Sequence, residues 1–338
     1  MEEFKKPASL KQGLMPYMKK VSIIMPCYNE EKFIARAIET LVDDYVLENA
    51  EILVVDGQST DQTAAIVTGF MEKGDPVKLL ENEKKLQCHG LNLGISVAVG
   101  EFVVRVDAHS TYPEGYVKKL VHLLETTDAV NVGGVMSPTG QPPVQQAIAL
   151  AMQHPIGVGD AKFHLGNFKG YVDTVYLGAF RKRIFETVGL FDTNCRTNED
   201  AELNIRLLKA GEKIYLDSSI QVEYLPRDTF GKLALQYFRY GMGRAYTTVK
   251  HRLFTSYRQA APPLLAIGLA ASLGLSFLNP LFLLFWACYI LAIAAVALFT
   301  WPGRNISIKL RVLMGIAFMV MHTTWGTGFL SFFIKRTK

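Results

Sequence analysis

The chain has 338 residues, enough for one substantial domain and a smaller module, with 49% apolar residues and a net charge of +5. No Asp or Glu follows Asp228, whereas twelve Lys and Arg do, leaving the first 228 residues with 24 basic against 31 acidic groups. An end that is acid-free, basic and strongly apolar excludes a nucleic-acid surface and points to a membrane, whose cytoplasmic flanks and anionic headgroups gather Lys and Arg.

Residues 1–20 read as a polar lead-in without the apolar core of a cleavable signal peptide. Residues 21–25 form a buried strand ended by Pro26, and a helix follows from about Glu31 with Ile34, Ile38, Leu41 and Tyr45 on one face. The run EILVV over 51–55 is a second buried strand, ending at Asp56-Gly57, and Ser59-Thr60-Asp61 offers an N-cap for the next helix. Strands are expected at 77–80, 102–106 and 129–132, with helices at 91–99 and 116–125 between them. This alternation is the pattern of a parallel α/β sheet with helices on both faces, where ligands gather at the carboxyl ends of the strands.

Between 137 and 173 the pattern weakens into a long, partly helical excursion, and regular structure returns with 175–180, a helix at 201–210 and a strand at 213–216. Residues 229–258 are basic, aromatic and amphipathic, which suits helices in a headgroup layer, an ordinary surface helix being the alternative. Two uncharged apolar runs follow, 261–278 and 280–301, parted by Asn279-Pro280. The second is about 33 Å long as a helix, enough for a bilayer core. The first two runs form a transmembrane hairpin; a third, 312–334, fits the positive-inside rule poorly, because crossing would carry Lys335, Arg336 and Lys338 to the far side, and re-entry or tight packing against the hairpin are the alternatives. The domain plan is a lead-in at 1–20, a catalytic domain at 21–228, interfacial helices at 229–260 and a membrane region at 261–334.

Four cysteines (Cys27, Cys88, Cys195, Cys288) lie far apart without a CxxC pair, so neither a zinc knuckle nor a disulfide framework is expected. Three constellations carry chemistry. Asp107-Ala108-His109 stands at a strand end, where both side chains can reach one divalent cation bridging two phosphates; His109 shifts preference toward Mn2+, with Mg2+ open. On its own such a pair reads more often as a capped turn. Asp56 can accept hydrogen bonds from a base or ribose, or simply belong to a capped βα loop. Glu199 and Asp200 begin a helix; they either complement its dipole or supply a general base for an attacking hydroxyl.

Order and spacing lift these above the plainer readings. The segments VSIIMPCYNEE (21–31), ILVVDGQSTD (52–61), GLNLGI (90–95), VVRVDAHS (103–110), LGAFRKRIFETVGLFD (177–192) and NEDAELNIRLLKAG (198–211) resemble glycosyltransferase family 2 over roughly residues 20–225. The resemblance implies an inverting enzyme with a GT-A fold: a Rossmann-like mixed, mostly parallel sheet with helices on both faces, here followed by interfacial helices and a C-terminal α-helical membrane region. It implies that Pro26, Tyr28 and Glu30 line the nucleotide pocket, that Asp56 meets the base, that Asp107 meets ribose or metal and His109 the metal, and that Asp200 is the base. Glu199 falls beside it on the acceptor side. This chain departs from the family pattern at His109 (commonly Asp), Gln58 (commonly Gly) and Leu91 (commonly Arg).

Gln236-Tyr237-Phe238-Arg239-Tyr240 resembles the Q-x-x-R-W motif of processive synthases, which implies that Gln236 and Tyr240 meet the acceptor and Arg239 the donor diphosphate, unless the segment is only an interfacial helix. Among family members the likeness is to bacterial succinoglycan-type exopolysaccharide enzymes. That implies a nucleotide-sugar donor, with a UDP-sugar first, a polyprenyl-diphosphate-linked saccharide acceptor, and a place at the cytoplasmic face of the bacterial inner membrane among its lipids. The alternatives are a processive polysaccharide synthase, a polyprenyl-phosphate sugar transferase and a membrane-bound nucleotide-sugar sensor. Oligomeric state is not legible.

Overall fold

The computed structural model describes residues 19–253, 257–299 and 306–336. Most of the lead-in, the last two residues of the 280–301 run, Arg304 and Lys338 lie outside the described residues.

The first half alternates as its pattern requires: β1 (Val21–Cys27), α1 (Ile34–Leu41), α2 (Asp44–Asn49), β2 (Ala50–Asp56), α3 (Thr63–Glu72), β3 (Val77–Glu81), α4 (Gln87–Val97), β4 (Phe102–Arg105), β5 (Ser110–Thr111) and α5 (Tyr116–Thr126). Next come β6 (Asn131–Pro138), α6 (Pro143–Met152), the single turns α7 (Pro155–Val158) and α8 (Lys162–Leu165), and β7 (Lys169–Val172). The catalytic half closes with β8 (Tyr176–Arg181), α9 (Ile184–Val188), α10 (Glu199–Lys209) and β9 (Ile214–Tyr224). Four helices remain: α11 (Phe230–His251), α12 (Ala261–Leu275), α13 (Leu284–Phe299) and α14 (Ile308–Arg336).

The strands form one sheet in the order β3-β2-β1-β4-β8-β6-β9-β5, with β7 also on β9. From β3 to β4 every pairing is parallel, as the βα alternation requires. Beyond β4 the sheet is mixed: β8 runs antiparallel to both neighbours, whereas β6 and β9 pair in parallel. Strand β8 can reverse because the excursion over 139–175 returns the chain to the sheet from the opposite end. Alternation along each strand divides the core between two faces. Ile23 and Met25 pack with α1, α3 and α5, whereas Ile24 and Val55 pack with α4 and α10.

Several boundaries differ from the sequence reading for identifiable reasons. The first helix stops at Leu41, because Asp43 caps a separate α2 by accepting from the Val46 N–H, and Tyr45 therefore lies in α2. Strand β9 runs well beyond 216, since Ile220, Val222 and Tyr224 alternate inward with exposed Gln221 and Glu223. One long helix, α11, occupies most of the stretch expected to hold interfacial helices. It packs on α14 so closely that a Cβ at Gly241 would lie 2.0 Å from the Trp325 carbonyl, and one at Gly328 would lie 2.1 Å from that of Phe238. Helices α6, α11, α13 and α14 share a third apolar cluster around Leu233, Tyr237, Phe318 and Met321.

Candidate active site

The cleft lies along the carboxyl ends of β1, β2 and β4. Pro26 is the penultimate residue of β1, and Tyr28 just beyond it is 47% exposed. Asn29 takes a left-handed turn, φ 56°, that lets its Oδ1 accept from the Thr60 N–H at 2.8 Å and tie the first loop to the second. Gln58 also sits at positive φ, 60°, the conformation a glycine adopts at no steric cost, and its Nε2 donates to Glu81 at 2.9 Å. Asp56 is buried, and both carboxylate oxygens accept from the Ser59 N–H, so its own loop takes up part of its capacity. Asp61 holds the Thr63 hydroxyl and amide at the start of α3. Leu91 is buried against the sheet.

At the end of β4, the Asp107 backbone is fixed by Tyr112, whose hydroxyl lies 2.7 Å from its N–H and 2.8 Å from its carbonyl. The Asp107 carboxylate accepts from Gln87 at 3.3 Å. His109 Nδ1 lies 3.1 Å from Glu30 Oε1, and its ring leans on Tyr224. Burial works to lower the His109 pKa, but the hydrogen bond to Glu30 and the charge of Asp107 outweigh it and raise the value. A place that favours positive charge on an imidazole also fits a cation. Oxygen and imidazole donors of this kind suit Mn2+ or Mg2+. Among the described residues no three His, Cys, Asp or Glu gather into a metal site, so a cation held here would take further ligands from elsewhere, as a diphosphate can supply.

Glu199 and Asp200 open α10 from the other side. Asn198, at φ 62°, precedes them and donates to the Tyr240 carbonyl at 2.9 Å, while Thr197 Oγ1 donates to the Arg239 carbonyl at 2.9 Å. Thus α11 lies directly over the start of α10. The two acids differ. Glu199 is buried, and burial pushes its carboxyl up against the opposing pull of Arg105; Asp200 keeps 42% of its side chain exposed to the cleft.

Arg105 joins the two sides and was not singled out from sequence. Its guanidinium is 3.1 Å from Glu199, 3.7 Å from Asp200 and 3.8 Å from Asp107. A lone charge inside the apolar run FVVRV is the signal that could have revealed it, since a buried cation demands a partner. Deeper along α11, Gln236 Nε2 donates to the hydroxyls of Tyr224 at 3.1 Å and Tyr240 at 2.8 Å. Arg239 is exposed, whereas Arg244, one turn on, lies in the electrostatic field of Asp200 and Asp173. Arg227 acts likewise on His109 and Tyr240. Neither Arg227 nor Arg244 stands in a recognisable motif, so only the fold reveals them.

The family model for glycosyl transferase family 2 matches residues 22–189. The succinoglycan biosynthesis protein ExoA of Rhizobium meliloti is 32% identical over 313 residues, covering 91% of this chain and 93% of that protein. The chain belongs to glycosyltransferase family 2. It is a hexosyltransferase of exopolysaccharide or related glycan biosynthesis. A second family relative is the dolichyl N-acetyl-alpha-D-glucosaminyl phosphate 3-beta-D-2,3-diacetamido-2,3-dideoxy-beta-D-glucuronosyltransferase of Methanococcus voltae, 30% identical over 66% of this chain and 72% of its own length. Among solved structures, the mannosyltransferase PcManGT of Pyrobaculum calidifontis, in complex with GDP-Man and Mn2+, superposes with a TM-score of 0.56 at 21% identity, covering 95% of this chain and 87% of that one. The fold is therefore GT-A, followed by C-terminal helices of which Pro280–Phe299 and Ile308–Ile334 are long and apolar enough to cross a membrane. All four cysteines are free.

Proposed function

We propose that the enzyme transfers one sugar, with inversion, from a nucleoside-diphosphate sugar, a UDP-sugar first, to a polyprenyl-diphosphate-linked saccharide at the cytoplasmic face of a bacterial inner membrane. The observation that carries this reading is the single buried guanidinium of Arg105, which has Asp107 on one side and the exposed carboxylate of Asp200 on the other. That spacing suits a donor with its nucleotide at Pro26, Tyr28, Glu30 and Asp56 and its diphosphate near Asp107 and His109, with the acceptor hydroxyl presented to Asp200.

In the reaction the acceptor oxygen attacks the anomeric carbon and its proton passes to Asp200. The bond from that carbon to the diphosphate breaks, and the diphosphate leaves with the electron pair. A divalent cation held by Asp107 and His109 would neutralise the leaving diphosphate. Pro26, Tyr28 and Asp56 line the nucleotide end of the cleft, while Gln236, Tyr240 and Glu199 flank the acceptor end. On α11, Arg239 would meet the donor diphosphate, and Arg244 lies in the electrostatic field of Asp200. A lipid-linked acceptor is supported by the apolar C-terminal helices and by the dolichyl-linked substrate named for the Methanococcus voltae relative.

The test is transfer from a panel of labelled donors to lipid-linked acceptors, with and without chelator. A single added sugar that requires Mn2+ or Mg2+ supports the proposal. A ladder of products would make the enzyme a processive synthase, and full activity in chelator would remove the role given to His109.

A further inference from the structure

Pro280–Phe299, which ends in α13, and Ile308–Ile334 in α14 are both long and apolar enough to span a membrane, yet the first is 11% buried and the second 44%. Along α13 only Ile293 and Ala297 are buried. Along α14, from Arg311 to Phe332, Val312 and Thr327 alone are exposed. Helices α6 and α11 cover one side of α14, and α12 and α13 cover part of the rest. Leu233 and Tyr237 of α11 share a cluster with Phe318 and Met321, Gly241 meets Trp325, and Tyr246 stacks edge-on against Phe332. The contacts advance in the same sense along both helices, so α11 and α14 run side by side. Yet α11 carries Lys232, Arg239, Arg244 and Lys250 along its length, and Lys250 is ion-paired to Asp192 at 2.6 Å and Glu202 at 2.7 Å in the catalytic domain. Four cations on one helix cannot lie in hydrocarbon at a cost of about 2.5–3.5 kcal/mol each near its centre. Whatever plane α11 occupies, α14 shares it.

The hairpin α12–α13 packs on α14 through the start of α12 and the second half of α13, where Tyr289 Oη lies 3.1 Å from His322 Nδ1. Gly326 abuts the Pro262 carbonyl and Ala266, and Gly315 faces Ile293 and Ala297. Arg311 donates to the last carbonyls of α13, those of Ala297 and Leu298. Beyond this level the arms, residues 267–278 and 280–288, extend about 15 Å, half of a hydrocarbon core about 30 Å thick. The tip is apolar: Phe277 is 88% and Leu278 83% exposed. Large apolar side chains exposed next to each other suit lipid rather than water, and Leu298 and Phe299 at the far end of α13 are exposed as well. Lys309 and Arg311 lie at the base, level with an anionic headgroup layer.

We infer that the enzyme enters its membrane from one face only. The α12–α13 hairpin is re-entrant and dips through a single leaflet, and α14 is a juxtamembrane platform for α11 that does not cross. This reading differs from the three-span plan, and under it the basic end of the third run need not cross. The inference rests on the membrane attachment proposed above, and the two can fail separately.

The test uses full-length enzyme in native membranes. Cys288→Ala removes the exposed thiol, Asn279→Cys places one at the tip, and an epitope follows Lys338. In spheroplasts and in inverted vesicles, a membrane-impermeant maleimide is expected to leave Asn279→Cys unlabelled until detergent is added, and protease is expected to remove the epitope only from inverted vesicles. Labelling from the outer face would make the hairpin a true crossing, and loss of the epitope in spheroplasts would make α14 one; either result overturns the inference. Release of the enzyme by carbonate would instead overturn the attachment itself. Should Asn279→Cys lose transfer activity, Phe277→Trp, in a background lacking the native tryptophans, gives a second measure. Bromines deep in the acyl chains should quench it more than shallow ones, and the reverse order rejects the single-leaflet depth.

Discussion

The two sides of the cleft are built by different means. On the donor side, Asp56 and Asp107 stand at the ends of strands in one parallel block, β2 and β4 flanking β1, and backbone register sets their spacing. On the acceptor side, Glu199, Asp200, Gln236 and Tyr240 come from two helices joined by side-chain bonds and buried ion pairs, with β9 and a loop between them in the chain. Ladder hydrogen bonds survive the loss of any one side chain; a pair of helices tied by charges does not. Single substitutions should therefore weaken chemistry alone on the donor side, and chemistry together with stability on the acceptor side.

The largest effect is expected at the one acceptor-side residue whose role is chemical rather than structural. Asp200→Asn should lower kcat by about 10²–10⁴-fold, the range supplied by a general base, while the affinity for nucleotide-sugar changes little. Its half-exposed carboxylate is one of three acids around Arg105, and Glu199 and Asp107 remain, so thermal stability should change little. Transfer near the parental rate would move the base elsewhere.

Arg105→Gln should come next and should break the contrast between chemistry and scaffold. It removes the cation between both sides and leaves Glu199 buried without its partner, a loss of about 3–5 kcal/mol. Denaturant unfolding measures it, and Arg105→Gln combined with Glu199→Gln should recover part of the loss. If the single variant is as stable as the parent, Glu199 is not held by Arg105.

The donor side was largely legible because its signals are local. The runs ending at Asp56 and Asp107 are short, apolar and turn-bounded, and the strand-end rule places their acids at the cleft. Gln58 was a visible departure whose explanation, a left-handed backbone, required the fold. Arg105 was written in the sequence but read as part of an apolar strand. The acceptor side was less legible because its links span long separations. Nothing local pairs Lys250 with Asp192, 58 residues away, or sets Arg244 in the field of Asp200. The third apolar run was legible as a helix, but not as one covered by α11.

That long-range network gives a smaller, pH-dependent effect. Burial alone would raise the Asp192 carboxyl, but hydrogen bonds from Lys250, Tyr246 and the Asn194 N–H hold it down to about 2. A folded pKa below the unfolded value, about 3.9, means that its contribution is present above pH 4 and is lost as pH falls toward 2. Lys250→Met should cost about 2 kcal/mol at neutral pH, because Glu202 keeps Arg206 and His251 as partners. The variant should also lose less stability than the parent between pH 4 and pH 2. Identical acid limbs for both would detach Asp192 from Lys250.

The smallest effect tests whether Tyr240 serves the acceptor through its ring or only through its hydroxyl. Tyr240→Phe deletes one partner of Gln236 Nε2, which retains the Tyr224 hydroxyl, so the loss in stability should be about 1 kcal/mol. The aromatic face remains, and a sugar stacks on the face rather than on the hydroxyl, so acceptor KM should stay within about threefold of the parent. Tyr240→Ala removes both and should raise acceptor KM further while leaving donor KM in place. Equal KM values for the two variants would mean that the hydroxyl orders Gln236 and that the ring meets no sugar. The acceptor side would then be a scaffold for Asp200 and little else.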